Sequence, residues 1–477
     1  MVYCVRRGTK SKNFLKFQSG GAAHRKISPT DLLRMTYIPN LTGVTQGSNP
    51  TTEVLASNGN QSLNVCINDP RTSYNEVSVA EPTPVAQIDF VYGINKVATS
   101  SNVNSNATVS VTSGILAVTS NGLVAASSSV LNAKKFVKFR AGQGVEGRFT
   151  AQFSRPALVN GSIAVAGLGF ATANTTYLID FAGFGYGNVL ASTQFGILWR
   201  NNGSDNFIPQ TSWNLDTCSG TTKSGFTLVP QSINSFQVQF QFCGNILFYV
   251  ENPYTGRFIL VHSVPNNLIA PTITNFQNPT TQLLWYSNSA AGSSNTLTTF
   301  GTSGGQFLEG QRRYNGPKGG LVNYYTNLPH DGVFYSVLAI KNATTYNGIP
   351  NRSQLHFRNV SVSCAGGGTN IALVKILKNP TATYASWTAY SGTGTDGISI
   401  TAGNSTAFSN VASGITVTGG NAIFTASLAN GPSSMIYDLT EYDIVAYPGD
   451  LVVLCIGVSG SANSADFGAS LTWSEDL

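Results

Sequence analysis

The strongest alternation of apolar and polar side chains lies between about residues 134 and 362. In Phe236-Gln237-Val238-Gln239-Phe240-Gln241-Phe242 every second residue is apolar and every other one is Gln. That spacing puts the apolar set on one face of a strand, whereas a helix would scatter the same rings around its circumference. Gly244-Asn245 follows as a turn signal, and Ile246-Leu247-Phe248-Tyr249-Val250 returns as a partner. Asn252-Pro253-Tyr254-Thr255-Gly256 turns again, into Arg257-Phe258-Ile259-Leu260-Val261. The pattern predicts an antiparallel meander within a two-sheet sandwich. Upstream, residues 107–127 predict short strands broken at Gly114 and at Asn121-Gly122. Downstream, residues 414–418 are expected to pair with 422–426 through Gly419-Gly420-Asn421, and Pro448-Gly449-Asp450 to turn into the strand 451–454. The helix signal is Ser28-Pro29-Thr30-Asp31, a capping box followed by Leu32, Leu33 and Met35 and stopped at Ile38-Pro39.

These patterns divide the chain into four stretches. Residues 1–39 read as an arm with one short helix, and 40–131 as a β-rich segment. A central jelly-roll or lectin-like sandwich is expected over 132–364, and a small acidic sandwich over 369–477. Glu81-Pro82-Thr83-Pro84 reads as a stiff linker, and Ala365-Gly366-Gly367-Gly368-Thr369 as a boundary. No fixed-period repeat occurs, which argues against a solenoid or propeller. The fold class is therefore all-β and multi-domain, built of antiparallel sandwiches.

Composition supports this. Charged residues are 10 % of the 477, against roughly 25 % in an average soluble domain, so long surface helices lack their usual residues. The 50 aromatic residues give ample area for a core. No run of apolar residues is long enough for a membrane-spanning helix, and the first 17 residues carry five bases and no apolar stretch of the signal-peptide kind. The six cysteines (4, 66, 218, 243, 364 and 455) show no CxxC spacing and are expected to be buried and inert.

The net charge of +6 conceals a polarity along the chain. Residues 1–30 hold Arg6, Arg7, Lys10, Lys12, Lys16, Arg25 and Lys26 and no acid, whereas residues 379–477 hold eight acids and no Lys or Arg. A basic arm interleaved with Phe14, Leu15 and Phe17 suits docking on another subunit, an anionic membrane surface or nucleic acid.

No catalytic motif survives inspection. Gly142-Gln143-Gly144-Val145-Glu146-Gly147 matches GxGxxG, but an alternating strand pattern follows it where a dinucleotide site requires a helix. The four histidines are too dispersed for a metal site, and His330-Asp331 sits in a Pro-His-Asp-Gly turn. Asp180, Asp205, Asp216 and Glu251 could supply a glycosidase pair only at a spacing that sequence does not give. Trp199, Trp213 and Trp285, with Phe207 and Tyr254, are expected in or near loops of the central domain, and rings set among Asn, Gln and Asp are what sugar-binding faces use; the three tryptophans are the candidate glycan-stacking rings. No cofactor is expected.

Several stretches resemble virion structural proteins of large DNA viruses and some tailed phages. They include Lys135-Phe136-Val137-Lys138-Phe139-Arg140-Ala141-Gly142-Gln143-Gly144 and Phe195-Gly196-Ile197-Leu198-Trp199-Arg200-Asn201-Asn202-Gly203. Ile208-Pro209-Gln210-Thr211-Ser212-Trp213-Asn214, residues 251–262 and the terminal Ser470-Leu471-Thr472-Trp473-Ser474-Glu475-Asp476 belong with them. The resemblance spans about a third of the chain and implies a non-enzymatic particle component: a capsid vertex, capsomer-associated or surface-fibre protein. It would be located in the virion, assembling as a trimer or pentamer with itself and contacting other virion proteins. The alternative expectation is a carbohydrate-binding or receptor-binding module that recognises a host glycan; a glycan-cleaving enzyme is the third.

Overall fold

The computed structural model describes residues 82–475 except 141, 155–160, 173–177, 188–192, 242–243, 266–273, 293–295, 311–317, 366–370, 391–406, 429–431 and 460–463, together with two short strands, Thr52–Leu55 and Asn64–Ile67. Residues 1–70 and 71–477 form separate compact units. The arm residues named above and the helix expected at 28–38 lie outside the described residues. Thr52–Leu55 and Asn64–Ile67 pair antiparallel.

The larger unit is built of two sandwiches. The strands of the first, in chain order, are β1 (Thr83–Asp89), β2 (Thr99–Asn104), β3 (Thr108–Thr112), β4 (Ile115–Asn121), β5 (Ser127–Ala133), β6 (Val145–Phe153), β7 (Ile163–Ala171) and β8 (Leu178–Gly187). They continue with β9 (Gln194–Asn201), β10 (Ser204–Pro209), β11 (Asn234–Phe240), β12 (Ile246–Asn252), β13 (Arg257–Val264), β14 (Gln282–Ser289), β15 (Thr296–Gly301) and β16 (Ser303–Leu308). One sheet runs β10-β9-β8-β7-β14-β5-β2. The other runs β13-β12-β11-β6-β15-β4-β3, with β16 bridging β6 and β1. Every labelled pairing is antiparallel.

The period-two strand behaves as its sequence dictates. Phe236, Val238 and Phe240 are fully buried between the sheets, and the expected meander forms in register, with Phe236 opposite Val250 and Glu251 opposite Phe258. Phe184 packs on Phe236 at 4.6 Å between ring centroids and Phe153 on Phe195 at 5.7 Å, so aromatic rings from both sheets fill the interlayer. At one end the apolar filling gives way to hydroxyls: Ser287 Oγ donates to the Val118 carbonyl and Ser120 Oγ meets Ser289 Oγ at 2.9 Å. Each is satisfied, as buried polar groups must be.

The second sandwich comprises β17 (Lys318–Leu328), β18 (Asp331–Asn342), β19 (Leu355–Ala365), β20 (Ala372–Lys378), β21 (Ala407–Asn410), β22 (Asn421–Leu428), β23 (Ser433–Asp438), β24 (Leu451–Ser459) and β25 (Ala465–Glu475). Its sheets run β17-β25-β19-β23 and β21-β18-β24-β20-β22, with the two-residue strands Val445–Ala446 on β19 and Thr388–Ala389 on β21. Among the described residues the only helical turns are single 3-10 turns at Gln210–Ser212 and Thr440–Tyr442.

The pairing corrects the sequence expectations at several points. Thr83 and Pro84 belong to β1, paired with β16, so they are part of a sheet and not a linker; β1 is an outermost strand, where proline costs no ladder bond. Strands from 83 to 133 are integral to the first sandwich and not a separate segment. The second sandwich begins at β17, because β17 and β19 flank the terminal strand β25; the 365–369 stretch joins two strands of that same sandwich. Residues 414–418 make only bridges to Tyr335 and Thr381, and β22 pairs with β20, so the expected hairpin across 419–421 does not form. Likewise 448–450 turns from Val445–Ala446, which lies on one sheet, into β24 on the other.

Arg352 joins the sandwiches. Its Nη2 donates to Asp180 Oδ2 on β8 at 2.8 Å, and its Nη1 donates to the carbonyls of Asn278 and Thr280. The guanidinium carbon sits 4.0 Å over the Phe170 ring. Gln354 Nε2 adds a bond to the Phe136 carbonyl, and Lys135 pairs with Asp443.

Candidate functional site

Of the three candidate tryptophans, two are core residues. Trp285 is fully buried, donates Nε1–H to the Thr150 carbonyl at 3.0 Å and meets Phe90 edge-on at 5.4 Å. Trp213 is 5 % exposed and packs against Phe184 and Phe195. Neither presents a face to a sugar. Tyr254 is 86 % exposed at the tip of the β12–β13 hairpin, away from the other rings.

Trp199 differs. It stands on the inner face of β9, opposite Asn206 on the outermost strand β10. Here the sheet ends and the two layers part, so the ring is only half-buried. The strands are joined by Asn202-Gly203, both at positive φ (47° and 81°), the turn that matches the twist of a two-residue hairpin. The indole is fixed: Nε1–H donates to the Asn275 carbonyl at 2.7 Å, and Asn275 is itself fully buried with Nδ2 bonded to the Gly244 carbonyl.

Facing it across the gap between the layers is β13. His262 Nδ1 accepts the Asn214 backbone N–H at 3.1 Å. The Asn214 side chain then pairs with the strand edge, Nδ2 donating to the Ser263 carbonyl and Oδ1 accepting the Ser263 N–H. An imidazole that accepts at Nδ1 carries its proton on Nε2 when neutral, and burial pushes its pKa down, which keeps it neutral. The result is a cleft of about 530 Å³ between β10 and β13, bounded by Trp199, Phe207, Ile208 and His262 and lined also by Gln194, Asn206 and the Asp205 carboxylate that Arg200 holds. It offers ring faces, amide groups, an imidazole donor and one carboxylate.

Three of the four candidate carboxylates are otherwise occupied. Asp180 is paired with Arg352. Asp205 receives a two-pronged bond from Arg200 on the adjacent strand. Asp216 accepts the backbone N–H groups of Cys218 and Ser224 and the Thr222 hydroxyl; these bonds hold its pKa below the ordinary range against the opposing effect of burial. It is a loop clamp. Glu251 lies on the outer face of the second sheet, near Arg148, which sits between the rings of Phe258 and Phe307. Glu146, buried there with Gln239 and Arg148, has its pKa raised by desolvation. Ladder register places Glu251 level with Thr150, two strands across from β6 and four residues along it from Glu146.

Cys218 and Cys455 are buried with thiol pKa values pushed up to about 12, and Cys364 is also buried and shifted upward, consistent with unreactive core thiols. Gly142 lies in a turn that leads directly into β6, as expected of a strand-to-strand loop. Asp331 Oδ2 accepts the Tyr335 hydroxyl at 2.6 Å, so its orienting partner is that phenol. His262 was not singled out by sequence, because its partner Asn214 is 48 residues away.

A pH dependence follows. The folded state favours neutral His262, so its stabilisation is complete above the ordinary histidine pKa of about 6.5 and declines as pH falls below it. Thermal melts of the wild type are expected to drop more steeply between pH 6.5 and 5 than those of His262→Gln. Equal slopes would refute the assignment.

No family model and no curated protein matches the chain. Solved structures similar to it include the seed lectin of Lotus tetragonolobus (10 % identity, 48 % of this chain and 100 % of that one, TM-score 0.31). The carbohydrate recognition domain of Emp47p is 9 % identical over 46 % of this chain and 94 % of that one, with a TM-score of 0.30. A glycosyl hydrolase family protein from Mycobacterium fortuitum is 10 % identical over 47 % of this chain and 100 % of that one, with a TM-score of 0.31.

Proposed function

We propose that this chain is a non-enzymatic glycan-binding protein whose ligand seats in the cleft between β10 and β13. The observation that carries the reading is the half-buried Trp199 ring, locked by its bond to the Asn275 carbonyl and facing a cleft lined by Asn206, Gln194, His262 and the Arg200-paired Asp205. Sugars present apolar C–H faces and hydroxyl edges, and a fixed ring beside Asn, Gln and a neutral imidazole matches both.

The test is a glycan array followed by calorimetric titration of any hit. Trp199→Ala is expected to weaken binding at least tenfold, the change that about 1.4 kcal/mol of lost contact produces, with the retained fold checked by circular dichroism at the titration temperature. No hit on the array, or a hit indifferent to Trp199→Ala, would refute the assignment. A second reading sets this module in a virus particle as a surface component assembling from like copies. It draws support from the resemblance of the quoted stretches and from the low charge, which spares repeated subunits mutual repulsion. Native mass measurement distinguishes it: a closed trimer or pentamer supports the particle role, and a monomer at all concentrations removes it.

A further inference from the structure

The second sandwich has its own opening between layers, and it differs in kind from the Trp199 cleft. β22 is the outermost strand of its sheet, paired with β20 on one side only. Along its open side runs a groove of about 490 Å³ lined by six successive residues of that strand, 422–427, and closed by Tyr437 and Tyr442. Phe424 anchors the floor, meeting Tyr437 edge-on at 5.2 Å and Tyr442 at 6.3 Å. Tyr442 is 59 % and the neighbouring Ile436 78 % exposed.

A groove that follows a strand for six residues has the shape of another extended backbone. Outermost strands are usually blunted by a charged side chain, a proline or a covering loop, because their free N–H and C=O groups pair readily. The sequence of β22, Asn421-Ala422-Ile423-Phe424-Thr425-Ala426-Ser427-Leu428, contains no charge and no proline. Glu441 and Asp438 flank the tyrosines, Arg358 offsets part of the Asp438 charge, and residues 379–477 contain no Lys or Arg. The nearby bases are engaged: Lys378 with Asp450, Lys375 over the Phe334 ring, and Arg358 through its Nε to Ser474 Oγ.

We propose that this groove takes an extended polypeptide of net positive charge, which adds to β22 as a further strand and packs apolar side chains between Phe424, Tyr437 and Tyr442. Main-chain bonds to the open side supply affinity, and alternate side chains supply selectivity. The sequence contains a stretch of that chemistry in Lys10-Ser11-Lys12-Asn13-Phe14-Leu15-Lys16-Phe17, with three lysines, three apolar residues and no acid.

The experiment adds a synthetic peptide of residues 8–19 to the full chain and follows amide hydrogen exchange by mass spectrometry. Exchange over 421–428 is expected to slow on addition, to slow less in Tyr442→Ala and in Glu441→Lys, and to recover as salt is raised. The two variants alter exposed side chains, so their folding can be checked independently by melting. The proposal fails if exchange over 421–428 is unchanged, if both variants respond like the wild type, or if a peptide with the three lysines replaced by glutamate protects equally. It also fails if 421–428 become protected with rising protein concentration and no peptide, since the occupant is then β22 of a second copy.

Discussion

Replacing Arg352 by methionine is expected to destabilise the chain by about 3–5 kcal/mol, the cost of leaving a buried partner charge uncompensated. Asp180 is fully buried, and the Arg352 side chain is 7 % exposed. Asp180 Oδ1 accepts only long bonds, 3.3 Å each, from the N–H groups of Asn202 and Gln277, so the shorter ion pair at Oδ2 is its main compensation. The same substitution frees the carbonyls of Asn278 and Thr280 and removes the cation from the Phe170 ring. Since these contacts tie the second sandwich to the first, urea unfolding followed by tryptophan fluorescence should separate into two transitions in Arg352→Met. Adding Asp180→Asn removes the orphaned charge and should restore a large part of the loss. A fully stable Arg352→Met protein with one transition would show that the joint lies elsewhere.

The second large effect is expected at Trp285. Truncation to alanine should cost about 3–5 kcal/mol, as for other large rings removed from a packed core. The ring touches both layers: it hangs from β14, bonds the Thr150 carbonyl on β6 and packs on Phe90. Gly301 on β15 leaves it space, since a Cβ there would lie 2.4 Å from Trp285 Nε1. Denaturant titration of Trp285→Ala measures the loss directly. A loss below about 1 kcal/mol, typical of surface changes, would contradict this residue's place in the packed core.

How far the sequence could be read depended on distance along the chain. The β11–β13 meander was legible because its turns, Gly244-Asn245 and 252–256, are local and its alternation is strict. The Asp450 turn was visible for the same reason, although its strands diverge onto different sheets. What escaped was pairing between distant segments: β1 with β16, and β17 with β25. Such ladders are chosen by complementary faces packing in three dimensions, and no turn marks them. Boundaries drawn from Pro- and Gly-rich stretches therefore fell inside a sheet at 83–84 and between two strands of one sandwich at 365–369.

The site was half legible for a related reason. Trp199, Trp213 and Trp285 all fall near stretches that read as loops, and that context cannot tell a rim from a core. Trp285 satisfies its N–H inside the sandwich at Thr150, whereas Trp199 stands where β10 ends its sheet. Asp205 and Asp216 read as turn acids, and their partners Arg200, Thr222 and Ser224 are close enough in sequence to have suggested clamps. His262 required the fold, because the residue that fixes its tautomer comes from the far side of a loop.

The most direct measurement is a crystal structure of the chain with a glycan identified on the array. A sugar ring stacked on the Trp199 indole, with a hydroxyl accepting from His262 Nε2, is the predicted result. A glycan bound elsewhere while the space between β10 and β13 stays vacant would contradict it.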